Sequence, residues 1–477
     1  MHNIYENPLC RRYASGEMQE IFSDDMKFST WRRLWVALAE AEKELGLPIT
    51  DSQLDEMKAH IDTVDYEVAD KREKEVRHDV MAHIYAYGVD CPEAKPIIHL
   101  GATSCYVGDN ADVIIQKKAL LRIRSLLLSA IEALCKFAFE HKSQITLAYT
   151  HFQAAQPTTL GKRACLWMQD LVMDLKHLDF VLSEMKLLGC KGTTGTAASF
   201  LKLFDGDKEK VKALEARIAE KMGFSSCYTV SGQTYTRKAD YYVLSVLSGI
   251  AQSAMKFSGD IRLLSHLKEV DEPFEKSQVG SSAMAYKRNP MRSERITSLS
   301  RLVIAAEQNP AMTAGTQWLE RTLDDSANRR IVIPEAFLAT DGILNLYINV
   351  ISGLTVYPLV MKKHLETELP FMATENILME CVKRGGDRQT LHEAIREYSV
   401  KAGKECKLYG RENNLLELIA NDDRFGLSRE EINSIIENGD LCGMAEKHTE
   451  EYIAEIGELL KENNGAYDNS FVASVNV

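Results

Sequence analysis

Fourteen consecutive residues, Ser277-Gln278-Val279-Gly280-Ser281-Ser282-Ala283-Met284-Ala285-Tyr286-Lys287-Arg288-Asn289-Pro290, combine hydroxyls, a glycine and cations in one polar stretch. Asn289 suits the N-cap of a following helix. Pro290 suits its first position, where the missing N–H is not needed. A helix N-terminus offers free N–H groups to an anion, and Lys287, Arg288, Arg292 and Arg295 lie beside it. The spacing predicts a loop that closes over a carboxylate-bearing substrate and carries a serine into the reaction. The competing reading is a basic turn between helices, since serine-rich turns and caps are common.

Six other clusters are candidates. Arg77-His78-Asp79 sets a histidine between a cation and a carboxylate on a predicted helix over 67–87. His83, five residues on, falls about 140° around that helix, so the two histidines are not a metal pair. The segment 99–109 offers two glycines for close backbone approach, the hydroxyls of Thr103 and Ser104, and Asp109 as a helix cap. Thr150 and His151 occupy a polar turn between long helices. Segment 189–196 is glycine-rich but lacks the phosphate-loop spacing. Gln233, in the loop 231–238, is an amide able to read a base or a carboxylate. In 320–330, with Asp324 as N-cap, Ser326 and Arg330 fall one turn apart on one helix face, a candidate phosphate seat together with Arg321. A surface salt-bridge cluster competes for that last segment.

Long helices must position these residues. Only 27 glycines and 11 prolines punctuate 477 residues. Helices are predicted over 31–45, capped by Ser29 or Thr30; from Thr50 with Gln53 as a capping box; and over 67–87, 109–142, 158–188, 236–268, 290–308 and 325–354. Several approach 30 residues, about 45 Å each. Val113, Leu120, Leu127 and Leu134 recur at heptad spacing, as do Leu171, Leu178 and Met185, so these helices pack side by side. Trp167, Phe180, Tyr241, Tyr242 and Leu247 keep the flanks apolar, which predicts pairing across subunits. No strand is predicted. The fold class is all-α, with three helical domains over 1–103, 104–356 (the central long-helix bundle) and 357–477, and a frayed tail after Asn464.

The formal charge of −12 disfavours a nucleic-acid partner. Ten cysteines without a CxxC pair exclude the common zinc and thioredoxin motifs and suit free thiols in a reducing compartment. No leader pattern or membrane-length apolar run is read, so a cytoplasmic location with no membrane partner is expected.

These segments together resemble one family. The run Gly280-Ser281-Ser282-Ala283-Met284, followed by Lys287, Asn289 and Pro290, is similar to the signature of the fumarase/aspartase superfamily. The version extending through Arg295 is similar to its adenylosuccinate lyase branch. So are Arg12-Tyr13-Ala14-Ser15, Arg77-His78-Asp79, 99–109, 150–153, 191–200, 232–238 and 320–330. Proline usually stands in that family where this chain has Ala154 and Ala285.

The resemblance implies a homotetramer with a helical core and active sites shared between subunits. It implies a carbon–nitrogen lyase that eliminates fumarate from two purine-pathway substrates, adenylosuccinate and the succinylated imidazole-carboxamide ribotide, with no cofactor or metal. By family position His151 is the acid and Ser281 the base, with Ser282 a local alternative. Lys287 stabilises the alkoxide and, with Asn289, holds succinyl carboxylates, a task Thr103, Ser104 and Thr150 could share. Arg12, Tyr13, Arg321, Ser326 and Arg330 hold phosphate and ribose. Gln233 and Arg295 orient the substrate. His78 with Asp79, beside Arg77, positions substrate or tunes His151. Argininosuccinate lyase, aspartase, fumarase and a lyase-derived structural protein are the alternatives. The first three act on substrates without a nucleotide.

Overall fold

A computed structural model describes residues 3–275, 278–280, 282–284, 286–438 and 441–468. After a short π-helical turn at Leu9–Tyr13, the first helices are α1 (Gly16–Ile21), α2 (Asp24–Glu44), α3 (Asp51–Ala59), α4 (Tyr66–Val76) and α5 (Asp79–Asp90). Ser23 caps α2 by accepting the Met26 N–H, so that helix starts two turns before the expected Ser29/Thr30 cap. Those two residues are instead buried inside it. Thr50 and Gln53 form the expected capping box. The single helix expected over 67–87 is two helices. Arg77 takes a left-handed φ of 53° that ends α4, and His78 caps α5.

The bundle consists of α6 (Ser104–Glu140), α7 (Leu160–Glu184), α10 (Lys238–His266), α11 (Met291–Ala306), α12 (Gln308–Gly315) and α13 (Asp325–Gly353), with α8 (Ala198–Leu203) and α9 (Lys208–Lys221) between α7 and α10. The heptad rows point inward: Val113, Leu120, Leu127, Leu134, Leu171 and Leu178 are all buried. Leu121, Leu166, Met173, Phe180, Tyr242 and Leu263 are exposed on the same helices. Asp325–Gly353 is long and apolar enough to cross a membrane, a run the sequence reading overlooked. Most of it is buried within the bundle, the setting of a core helix.

Four short strands correct the strand-free expectation. β1 (Ile145–Thr150) and β2 (Gln153–Thr159) form an antiparallel hairpin between α6 and α7. β3 (Val270–Asp271) pairs antiparallel with β4 (Thr355–Val356). The remaining helices are α14 (Pro358–Met372), α15 (Thr374–Lys383), α16 (Arg388–Tyr409), α17 (Leu415–Ala420), α18 (Arg429–Asn438) and α19 (Ala445–Glu462). Ser428 and Glu431 exchange capping-box bonds at the start of α18.

The bundle core includes the N-terminal Leu9–Ile21 segment and receives Ile456 of α19. A second core joins α2, α3 and α5 to the start of α6 and to Phe200, Leu214 and Ile218. A third holds α15 to α18. Of the tail after Asn464, Tyr467 packs against the bundle core where fraying was expected, and 469–477 lie outside the described residues.

Candidate active site

The nucleotide-reading candidates gather where α5, α6, α10 and α13 begin. Thr103 occupies the N-cap of α6 without spending its side chain on the cap, and Ser104 is the first helical residue. One residue on, Cys105 receives Arg321 Nη1 at 2.6 Å, and the same nitrogen donates to Gln233 Oε1 at 2.9 Å. The loops carrying Gln233 and Arg321 are backbone-locked: Gln233 N–H donates to the Glu320 carbonyl at 3.0 Å. A Cβ on Gly232 would lie 2.3 Å from that same oxygen. At the start of α5, Asp79 accepts from Arg330 Nη2 at 3.3 Å. Ser326, half-buried, sits one turn before Arg330 on α13. Asp324 takes the expected N-cap position but bonds Thr322 instead of capping.

His78 is at a helix start, not on a helix face. Its Nδ1 accepts the Met81 N–H at 3.4 Å, which leaves Nε2 to carry a proton outward. Arg77 is exposed at the α4–α5 break. His99, the first residue of the candidate segment 99–109 but given no role there, lies near His78. Trp35 Nε1 donates to its Nδ1 at 2.9 Å, so Nε2 is again the protonated nitrogen. Burial, then the neighbouring His78, pushes its pKa down to about 4. It stays neutral and offers a hydrogen bond without charge. The left-handed φ of 64° at this non-glycine residue was a signal only coordinates carry.

A buried ionic lattice, absent from the sequence expectations, joins the same helix starts. Arg237 Nη1 donates to Asp109 at 3.0 Å and its Nε to Asp325 at 2.7 Å. Arg329 Nε donates to Asp240 at 2.7 Å, and Asp240 also accepts from Tyr235 and Gln116. Arg329 Nη1 reaches Asp112 at 3.0 Å. Burial alone would raise the Asp240 carboxyl, but Arg329 and Arg237 outweigh it and hold it below the usual range. Asp109 is therefore no helix cap; it sits in the first turns of α6 as an internal counter-ion. The lattice ties the starts of α6, α10 and α13 together. Those starts carry Thr103, Ser104, Ser326 and Arg330, with Gln233 just before α10.

The acid–base candidates lie at the other end. Gln233 precedes α10 and Glu269 follows it, and 29 helical residues separate the two ends by about 43 Å. His151 and Phe152 form the two-residue turn of the β1–β2 hairpin, with φ of 52° and 58°. Positive φ at both positions is the requirement of a type I′ turn, which favours glycine and asparagine. Held by a histidine and a phenylalanine, it stores about 1–3 kcal/mol per residue. Thr150, His151 and Phe152 are all exposed. Ala154, where the family usually has proline, lies in β2 opposite Tyr149.

At this same end the loop before α11 closes on itself. Asn289 is not the N-cap; its Nδ2 donates to the Gly280 carbonyl at 2.9 Å, and Pro290 occupies the N-cap. The helix N-terminus is already filled: Glu272 accepts the Arg292 and Ser293 N–H groups at 2.9 and 2.7 Å. Arg292 is buried and pairs with Glu275 and Asn349, so it does not join a free cationic cluster. Lys287 is exposed and Arg295 half-buried. Ser281 and Ala285 lie outside the described residues.

Arg12 and Tyr13 sit mid-bundle. Ser15 donates its N–H and hydroxyl to Asp341 of α13 at 2.6 and 3.0 Å. A Cβ on Gly342 would lie 3.0 Å from the Tyr13 carbonyl. One chain thus joins Gln233 with Arg321 and Asp79 with Arg330. It brings neither pair to His151 or Lys287.

Comparison with known proteins supplies the family. A model described as "Lyase" matches residues 14–305, and one described as "Adenylosuccinate lyase C-terminus" matches 370–452. The chain is 51% identical to the adenylosuccinate lyase of Saccharomyces cerevisiae over 95% of this chain and 94% of that one. It is 49% identical to that of Schizosaccharomyces pombe over the same shares. Among solved structures, 3-carboxy-cis,cis-muconate lactonizing enzyme from Pseudomonas putida superposes with a TM-score of 0.82. That match has 22% identity over 95% of this chain and 99% of the other, a likeness of fold. Two family models and near-full-length identity of about half place this chain in the adenylosuccinate lyase family.

Proposed function

We propose that the chain is a carbon–nitrogen lyase that releases fumarate from adenylosuccinate, giving AMP, and from the succinylated imidazole-carboxamide ribotide of purine synthesis. The observation that carries the reading is the set of polar side chains gathered at the starts of α5, α6, α10 and α13. There Arg321, Arg330, Ser326 and Gln233 offer guanidinium, hydroxyl and amide groups suited to a nucleotide. A lyase acting on a substrate without a nucleotide would leave that set without a task.

The reaction needs a base at the carbon beside a carboxylate and an acid at the departing nitrogen. Ser281 is the base and His151 the acid. Lys287 stabilises the serine alkoxide and, with Asn289, the succinyl carboxylates. For Asn289 this means exchanging the Gly280 carbonyl for substrate. Arg12 and Tyr13 join the phosphate and ribose end. Thr103, Ser104 and Thr150 assist at the succinyl end, Arg295 orients the substrate, and His78 with Asp79 and Arg77 positions it.

The separation of about 43 Å along α10 supports a site assembled from neighbouring subunits. The exposed row Leu166, Met173 and Phe180 on α7 supports helix pairing between copies. We therefore propose a homotetramer, working in the cytoplasm without metal or cofactor, with domains over 1–103, 104–356 and 357–477. The test is fumarate release from adenylosuccinate, followed by absorbance, for wild type, His151→Ala and Ser281→Ala. Turnover lost by at least about a hundredfold in each variant supports the roles; near wild-type turnover in either overturns that residue's role. An active monomer of about 54 kDa on gel filtration overturns the shared site.

A further inference from the structure

The β1–β2 hairpin is an arm held at its root. From Ile145 to Thr150 burial runs exposed, buried, buried, half-buried, exposed, exposed. Beyond Leu147, therefore, little of the arm is packed. Five residues separate Thr146 from His151, about 17 Å of strand. A tilt of about 5° at the root moves the tip by about 1.5 Å over that length. Misplacing a reacting group by about 1 Å can cost about a hundredfold in rate. Within one chain, therefore, the root angle sets where His151 is presented to the site.

Glu269 occupies that root. It lies between α10 and β3 and is fully buried, at 0% exposure. Its Oε1 is 2.9 Å from His364 Nδ1 on α14, and its Oε2 accepts the Thr146 hydroxyl of β1 at 3.4 Å. Its carbonyl accepts the Tyr357 N–H at 2.9 Å, next to the β3–β4 pair. Arg163 of α7 is within its field and donates Nη2 to the Leu147 carbonyl at 2.8 Å. The second strand is tied too, by Gln156 Nε2 to Glu375 at 2.6 Å and by the Cys442 thiol to the Thr158 carbonyl at 3.7 Å. A wholly buried carboxylate is expensive unless charged and hydrogen-bonded partners surround it. Here those partners come from β1, α7 and α14, the elements that fix the arm's direction.

We propose that Glu269 is a positioning residue for His151: through Thr146, His364 and Arg163 it fixes the angle of the hairpin that presents the imidazole. The inference rests on the reading of His151 as the acid. The experiment compares kcat and KM for fumarate release in wild type, Glu269→Gln, His151→Gln and the double variant. Glu269→Gln lowers kcat by about tenfold or more and changes KM by less than about threefold, since the substrate's nucleotide end is held elsewhere. In the His151→Gln background the same change alters the residual rate by less than about twofold, because the group it positions is gone. Equal loss in both backgrounds, or wild-type kcat in Glu269→Gln, overturns the proposal. His151→Gln with wild-type turnover overturns the reading of His151 itself. If Glu269→Gln fails to fold, His364→Ala on partly exposed α14 carries the same comparison, with the same outcomes deciding.

Discussion

Glu42 offers a test of the buried electrostatics that needs no substrate. It lies on α2 in the second core at 0% exposure. Neither carboxylate oxygen has a hydrogen-bond partner among the described residues. Burial pushes its pKa from 4.5 up to about 8. Because the folded value is raised, the group's contribution is fully present below pH 4.5 and is lost as pH rises through about 8. At pH 7 the folded chain must keep a proton that the unfolded chain releases. The gap from 4.5 to 7, at about 1.4 kcal/mol per pH unit, amounts to about 3 kcal/mol. Glu42→Gln keeps size and removes the proton linkage, so it stabilises the fold by about that amount at pH 7 and by less than about 1 kcal/mol at pH 5. For a chain of 477 residues about 3 kcal/mol is about 3 °C in Tm. Thermal unfolding of both proteins from pH 5 to 9 reads the difference. Refutation would be a Tm difference that stays flat with pH, or a variant less stable than wild type at pH 7.

Two further outcomes follow from the packing. Asp240→Asn removes the charge facing Arg329 in the buried lattice. It lowers stability by about 3–5 kcal/mol, read as a drop in the urea midpoint. Gly280→Ala places a Cβ 2.1 Å from the Lys287 carbonyl, a backbone atom that no rotamer change can clear. It lowers kcat by about tenfold or more while Tm moves by less than about 2 °C, because the change sits in a loop outside the cores.

Local chemistry made much of this protein legible before any coordinates. Heptad rows such as Leu120, Leu127 and Leu134 announced a bundle because helical periodicity is written in nearest neighbours three and four apart. The Thr50–Gln53 box was legible for the same reason. The family signature around 280–295 identified residues by type. Sequence reading failed where a competing tertiary contact overrode a local preference. Asp109 and Asn289 both look like caps. One was taken by Arg237, the other by the Gly280 carbonyl.

What the order of amino acids determined was the set of long helices, the reactive side chains on the segments joining them, and the family. What only tertiary structure decided was the company each side chain keeps. The break at Arg77 and the turn at His151 depend on positive φ at non-glycine residues, which no propensity favours. The filling of the α11 N-terminus by Glu272 and the pairing of Arg329 with Asp240 join groups 20 and 89 positions apart. Such partners are set by the packing of whole helices, and a window of local sequence carries no record of it.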